Sequence, residues 1–253
     1  MIDGVYKLGV KFMQARETIH IAIELIDRYY LGKSQTLSLD DYKQQLIGPK
    51  QVILHQLVCL MVASKLNECD DNITVMIHLI QYIKNQVSRM SSSDKSHLVP
   101  NFEEVVECER ALLKHFDWNL NFLLPIHFVR IHLAHGILFS YELRPYAEKL
   151  PAEDYDLLKQ ELSLALTSEA LNLSDIIAAK GAVFLRKSDP SSIAAAILYF
   201  ARKNILQSDE VSKLVRVPSL WPQELVFLTR CTTEHIYETL QTPAEEIEGE
   251  QEP

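Results

Sequence analysis

Several residue sets in this chain have the types and spacing to do chemistry. Gly32-Lys33-Ser34 has the ending of a phosphate-binding loop, in which backbone N–H groups and a lysine cradle phosphoryl oxygens. That motif needs another glycine five residues earlier, and Asp27 stands there, on a segment with helical spacing. His127, His132 and His135 fall on one predicted helix. At 100° per residue, His132 and His135 project about 60° apart, with His127 about 80° beyond His135. Three imidazoles so placed could ligate a metal, but no cysteine or second helix with matched ligand spacing accompanies them. They read as histidines of a half-buried helix, and no metal is expected. Cys59, Cys69, Cys108 and Cys231 form no C-x-x-C pair, and Cys108 sits between Glu107 and Glu109, whose carboxylates disfavour a thiolate nucleophile. Dinucleotide-binding, nucleophile-elbow and zinc-protease motifs are absent, so neither an enzyme nor a cofactor is expected.

The elements that must position these residues are helices. Only 7 of 253 residues are glycine, against an average usage of about 7%, and Leu, Ile, Ala, Glu and Lys abound. Ile19, Ile23, Ile26 and Tyr30 lie on one face of a helix predicted over 17–31, with Gly32 as its C-cap. A short piece with Asp40 and Asp41 at its start follows, ending at Gly48. Pro49 opens the next helix, which reaches about Leu66. There Ile53, Leu54, Leu57, Val58, Leu60, Met61, Val62 and Ala63 cover nearly the whole circumference. A helix apolar all round in a water-soluble chain must be surrounded by other helices. The pattern predicts further helices over 73–90 and, behind the capping-box pair Asn101 and Glu104, to Phe116. The serine-rich stretch 91–96 reads as a flexible loop.

A second series follows Asn119-Leu120-Asn121. Pro125 opens a helix to about Phe139, and Pro151 opens a long stretch to about Arg186 that should break inside. Asp189-Pro190 caps a mostly apolar helix to Ile205, and Trp221-Pro222 starts a last helix to about Leu240. Val58–Lys65 and Ala196–Lys203 share a pattern, each an apolar helix closing on Ala-x-Lys. This predicts an all-α chain of two helical bundles in tandem: residues 1–121, with an insertion near 88–100, then 122–241, then an acidic tail over 242–253.

Charge narrows the partners. There are 25 Lys+Arg against 34 Asp+Glu, a net charge of −9, and no basic stripe, which opposes nucleic-acid binding. Five of the excess negative charges are Glu245, Glu246, Glu248, Glu250 and Glu252. The greasiest run, 52–63, is shorter than the roughly 20 residues a membrane span needs, so no membrane is expected. The unpaired cysteine pattern and the lack of a leader-like N-terminus predict an intracellular protein, nuclear or cytoplasmic.

Five segments in order, over about residues 5–240, resemble the cyclin family. Glu17-Thr18-Ile19-His20 leading to Ile26-Asp27-Arg28-Tyr29 is similar to the second helix of a cyclin box. Leu60-Met61-Val62-Ala63-Ser64-Lys65-Leu66-Asn67-Glu68 resembles the end of the third, and Glu109-Arg110-Ala111-Leu112-Leu113-Lys114 running into Phe116-Asp117-Trp118-Asn119-Leu120 resembles the fifth and its exit. Asp189–Ala196 and Leu220–Leu225 resemble the third and fifth helices of a C-terminal box, and Trp118-Asn119-Leu120 with Trp221-Pro222 is closest to J-type cyclins. The resemblance implies two tandem five-helix cyclin boxes and a regulatory subunit that binds and activates a cyclin-dependent protein kinase. The alternative is a cyclin-fold scaffold or adaptor that activates nothing.

The resemblance also implies roles. Lys65 and Glu109 match the residues that hydrogen-bond the kinase backbone beside its regulatory C-helix, while Val62, Leu66, Leu113, Trp118 and Leu120 match the apolar surface on which that helix packs. Asp27 and Leu54 match structural positions. The chain departs from the family in several places: the first-helix substrate-docking string is missing, Gly4 stands where its tryptophan would be, Leu66 replaces an aromatic and Asn67 an acidic residue, and the stretch 72–101 is long. Substrate docking through the first helix is therefore not expected. Read without the family, Lys65–Glu109 is a solvated structural pair and Trp118 a core residue. The tail yields its own expectation: five like charges with only Ile247 to bury should not dock. Deleting residues 243–253 should leave the thermal midpoint unchanged in a calorimetric scan, and a clear drop would show that the tail packs on the body.

Overall fold

The computed structural model describes residues 2–36, 48–89, 96–147, 150–180, 188–209, 211–214 and 217–241. The short piece after Gly32, most of the serine-rich loop and the acidic tail lie outside the described residues. Every described element is a helix, and the chain divides into two compact units, 1–122 and 123–253.

The first unit comprises α1 (Ile2–Lys11), α2 (Arg16–Thr36), α3 (Pro49–Asn67), α4 (Met76–Ser88) and α5 (Phe102–His115), with single 3₁₀ turns at Asp70–Asn72 and Ser96–Leu98. Helix α3 is its centre, packed against α1, α2 and α5. Leu54 through Ser64, except Gln56, are buried, as the all-round apolar pattern requires. Gly9 lets α1 approach α2 closely: a Cβ there would stand 2.4 Å from Ile19 Cγ1. Gly4 lies against Gln56, whose side chain would be 2.3 Å from an added Cβ, so no large residue fits at position 4 without displacing it.

The second unit comprises α6 (Pro125–His135), α7 (Ser140–Ala147), α8 (Ala152–Lys180), α9 (Pro190–Leu206), α10 (Val211–Leu214), α11 (Gln223–Thr229) and α12 (Thr233–Gln241). Its centre is α9, with Ile193–Tyr199 and Ala201 buried against α6, α8 and α12. Asp189 caps α9 by accepting from the backbone N–H groups of Ser191 and Ser192.

Several sequence expectations are corrected, each for a physical reason. Helix α2 runs through Gly32 to Thr36, since an interior glycine costs only about 1 kcal/mol and no proline follows. Helix α4 starts at Met76, not 73, because Thr74 N–H donates to buried Ser64 Oγ (2.8 Å) and Val75 is extended. The helix from Pro125 stops at Gly136, whose φ of 87° suits glycine. Helix α7, absent from the sequence reading, follows it. Helix α8 is unbroken from Ala152 to Lys180, having neither glycine nor proline there, and residues 181–186 of the expected stretch lie outside the described residues. The final stretch is two helices: Arg230 is left-handed at φ 61°, Trp221 Nε1–H takes the Cys231 carbonyl (2.9 Å), and Thr229 Oγ1 takes the Cys231 N–H (3.2 Å).

Helix α8 is also long and apolar enough, by length and composition, to cross a membrane, a feature the sequence reading did not single out. Its Leu162, Leu166, Ala170, Ser174 and Ala178 recur every four residues and face the bundle core. Glu169, which accepts from Asn204 Nδ2 (2.7 Å), interrupts its apolar stretch. Only part of the apolar content is used inside the unit: Leu157, Leu164 and Ile176 are exposed.

Two outcomes follow. Leu57 is fully buried, so Leu57→Ala should cost about 2–5 kcal/mol in urea denaturation, and a midpoint equal to the parent's would remove Leu57 from the centre of the unit. His132 is 6% exposed with neither ring nitrogen hydrogen-bonded. Burial, with His135 adding to it, lowers its pKa. Below the unfolded value of about 6.5 the unfolded chain takes up a proton that the folded chain resists, so this contribution is complete above pH 6.5 and is lost as pH falls beneath it. Thermal melts from pH 7 to 5 should fall less steeply for His132→Leu than for the parent; parallel curves would contradict this.

Candidate functional site

The burial of α3 ends abruptly. Ser64 is fully buried, whereas Lys65 and Leu66, the next two residues, are exposed. Lys65 Nζ lies 2.6 Å from Glu109 Oε1 on α5, with the lysine side chain 48% and the glutamate side chain 17% exposed. These residues stand 44 positions apart in sequence and meet because α5 packs along α3. The approach of α5 is fixed at its start. Asn101 Oδ1 accepts from Glu104 N–H (2.8 Å) and Glu104 Oε2 accepts from Asn101 N–H (2.9 Å), a complete capping box despite the unusual first residue. Lys50 Nζ adds an ion pair to Glu104 at 2.5 Å. The Lys50 ammonium and the Asn101 N–H together hold the Glu104 carboxyl below its ordinary value.

Helix α5 ends in a turn that presents Trp118. Asp117 and Trp118 both have left-handed backbones, at φ 47° and 61°, and Trp118 N–H donates to the Leu113 carbonyl (2.9 Å). The indole is 69% exposed, so Trp118 is a surface residue and not part of the core. Leu66 is 50% exposed, and Leu113 and Leu120 are half-buried. Val62 is buried and supports this face from beneath; Leu54 is core, and Asp27 is partly buried on α2.

Sequence reading missed Glu68, just past α3. Its Oε1 accepts from Ala15 N–H (2.7 Å) and Thr18 Oγ1 (2.5 Å), and its Oε2 accepts from Asn72 Nδ2 (2.6 Å). No local pattern announces the Ala15 and Thr18 bonds, because those donors come from a different helix start. Glu142 and Arg202 were also missed. Their buried pair, 2.5 Å apart, joins α7 to α9 in the second unit.

The other candidates have different chemistry. His127 Nδ1 accepts from Leu124 N–H (3.3 Å) and His135 Nδ1 bonds the Ile131 carbonyl (2.8 Å), while His132 is buried, so the three do not converge on one point. Among the described residues no cluster of three or more His, Cys, Asp or Glu could hold a metal ion. Burial, with Cys108 adding to it, pushes the Cys59 thiol well up, far from a nucleophile. Ser192 Oγ lies 3.0 Å from His235 Nε2, and His235 Nδ1 lies 3.8 Å from Glu238, which imitates a hydrolytic triad. Ser192 Oγ, however, donates its single proton to Asp189, and the residue is 3% exposed. A hydroxyl committed to the capping carboxylate of Asp189 and closed to substrate does not act as a nucleophile.

Comparison with known proteins bears on the first unit above all. Residues 1–121, just under half of the chain, match the family model for the cyclin N-terminal domain. The G2/mitotic-specific cyclin-2 of Saccharomyces cerevisiae is 29% identical over 130 residues, covering 51% of this chain and 21% of that protein. The chain thus matches about a fifth of the length of this curated relative. The first unit, all-helical and built around a buried third helix, is thus similar along its length to the cyclin N-terminal domain.

Proposed function

We propose that the chain is a regulatory subunit that binds a cyclin-dependent protein kinase and holds it in its active conformation. The observation that carries this reading is the Lys65–Glu109 pair at the point where α3 leaves the core. An ammonium has three donors and Glu109 takes one, so Lys65 can offer others to a partner's backbone carbonyl. Leu66 and Trp118 add exposed apolar surface, with Leu113 and Leu120 half-buried and Val62 beneath. A left-handed backbone costs a bulky residue about 1–2 kcal/mol. Trp118 carries that cost with its ring in solvent, as a residue kept for contact would.

The mechanism is differential binding. Seating the kinase's C-helix completes the Lys–Glu ion pair inside the kinase that phosphoryl transfer requires, so the chemistry stays in the partner. A 100-fold preference for the active arrangement corresponds to about 2.7 kcal/mol, which a single hot-spot cluster can supply. Substrate docking through α1 is not part of this proposal. A nuclear or cytoplasmic location, where such kinases work, is.

The test is affinity purification of the chain, identification of bound kinases by mass spectrometry, and assay of their activity with and without the chain. Glu109→Lys places two ammoniums together and should weaken binding by about thirtyfold, or roughly 2 kcal/mol. Surface pairs contribute only about 0–1 kcal/mol to folding, so the melting curve should barely move. Unchanged binding would remove this surface from the interface. Binding without a gain in kinase activity would make the chain an adaptor.

A further inference from the structure

We propose that Glu68 is the positioning residue of the Lys65 surface: its carboxylate clamps the exit of α3 onto the first turn of α2 and fixes the direction in which Lys65 and Leu66 leave the core. The consequence for binding rests on the kinase reading above, whereas the clamp belongs to the free chain.

Helix ends fray, because the last carbonyls have no partner within the helix. Here the residues on both sides of Lys65-Leu66 are tied down. Upstream, Ser64 Oγ takes the Thr74 N–H inside the core. Downstream, Asn67 Nδ2 donates to Thr18 Oγ1 (2.9 Å) and the Glu68 carboxylate gathers Ala15 N–H, Thr18 Oγ1 and Asn72 Nδ2. Lys65 and Leu66, left between these ties, point outward. Thr18 is fully buried, and its hydroxyl donates to this carboxylate. Ala15 stands just ahead of α2, where N–H groups have no helical acceptor and the helix dipole favours an anion.

The clamp reaches further. The Asn72 carbonyl accepts from Gln14 Nε2 (3.0 Å), so the turn between α1 and α2, the 3₁₀ turn at Asp70–Asn72 and the end of α3 form one hydrogen-bonded unit. Three donors converge on two oxygens, a demand that a carboxylate meets and an amide does not, because an amide's NH₂ would face a donor. Burial pushes the Glu68 pKa up, but the bonds from Thr18, Ala15 and Asn72 together outweigh it and hold the carboxyl below its ordinary range. Glu68 therefore stays ionised at neutral pH, and charge-assisted bonds of this kind are about twice as strong as neutral ones.

The experiment uses the full chain carrying Glu68→Ala, Glu68→Gln, Lys65→Ala and the double substitutions. Amide hydrogen exchange of the free chain reads the clamp. In Glu68→Ala, residues 65–69 should exchange roughly tenfold faster, about 1.4 kcal/mol, while residues 57–62 keep the parent's rates. Affinity for the kinase recovered with the parent chain reads the consequence. Glu68→Ala should weaken it about tenfold and Glu68→Gln by less, and in the Lys65→Ala background each should weaken it by less than in the parent. Unaltered exchange would overturn the clamp. Faster exchange with unaltered affinity, or an effect that simply adds to that of Lys65→Ala, would overturn the positioning role. A Lys65→Ala chain that binds the kinase as well as the parent would instead overturn the kinase surface, and the exchange data would still decide the clamp.

Discussion

The first unit depends on one constraint, the burial of α3 on every side. A helix whose residues 57–64 are all inside requires neighbours around its whole circumference, and α1, α2 and α5 supply them. Burying a large aliphatic side chain is worth about 1.5–3 kcal/mol, and this helix buries Leu54, Leu57, Val58, Leu60, Met61 and Val62. That total fixes its axis far more firmly than any surface pair does. It also fixes where the helix must stop being apolar. Lys65 is the first residue that need not be buried, and its long aliphatic stem spans the edge of the core while its ammonium reaches water.

The second unit solves the corresponding problem with charge. In the shared pattern of the two central helices, Arg202 falls where the first unit has Ser64. Both residues are fully buried and both tie their helix to a following segment. Ser64 accepts one N–H. Arg202 uses all its donors, on Glu142, Ile137 O, Ser219 O and Leu220 O. Desolvating a guanidinium is expensive, and a buried ion pair is tolerable only when every donor and lone pair is met. Glu142 meets its share by also capping α7 through the Phe139 N–H (2.9 Å). The network therefore decides which loop lies against α9, a matter of specificity more than of net stability.

Legibility from sequence followed the range of the interaction. The central helices α3 and α9 were readable because all-round burial leaves a dense apolar run. The caps at Asn101–Glu104 and Asp189-Pro190 were readable because both partners lie within a few residues. Two boundaries failed where a more distant group decided them: Ser64 holding Thr74 delays α4, and Trp221 reaching Cys231 splits the last helix. At the candidate site, Lys65 and Glu109 came from the family's pattern, since nothing local joins residues 44 positions apart. Glu68 escaped because two of its three donors, Ala15 and Thr18, lie more than 45 residues away.

In the proposed interface, the weakness of the Lys65–Glu109 pair is what would suit it to recognition. At about 0–1 kcal/mol, a half-exposed pair adds little to folding, so its hydrogen bonds can be rearranged around a partner without unfolding the unit. Its geometry nevertheless has to be ready, because ordering a long side chain at an interface costs about 0.5–1.5 kcal/mol. The fold separates these two demands. Rigidity comes from the buried stretch of α3 and the carboxylate of Glu68, and in the proposed interface contact would be left to Lys65, Leu66 and Trp118. A strongly bound ion pair in the same place would have been rigid and unavailable, and an unsupported lysine would have been available and unplaced.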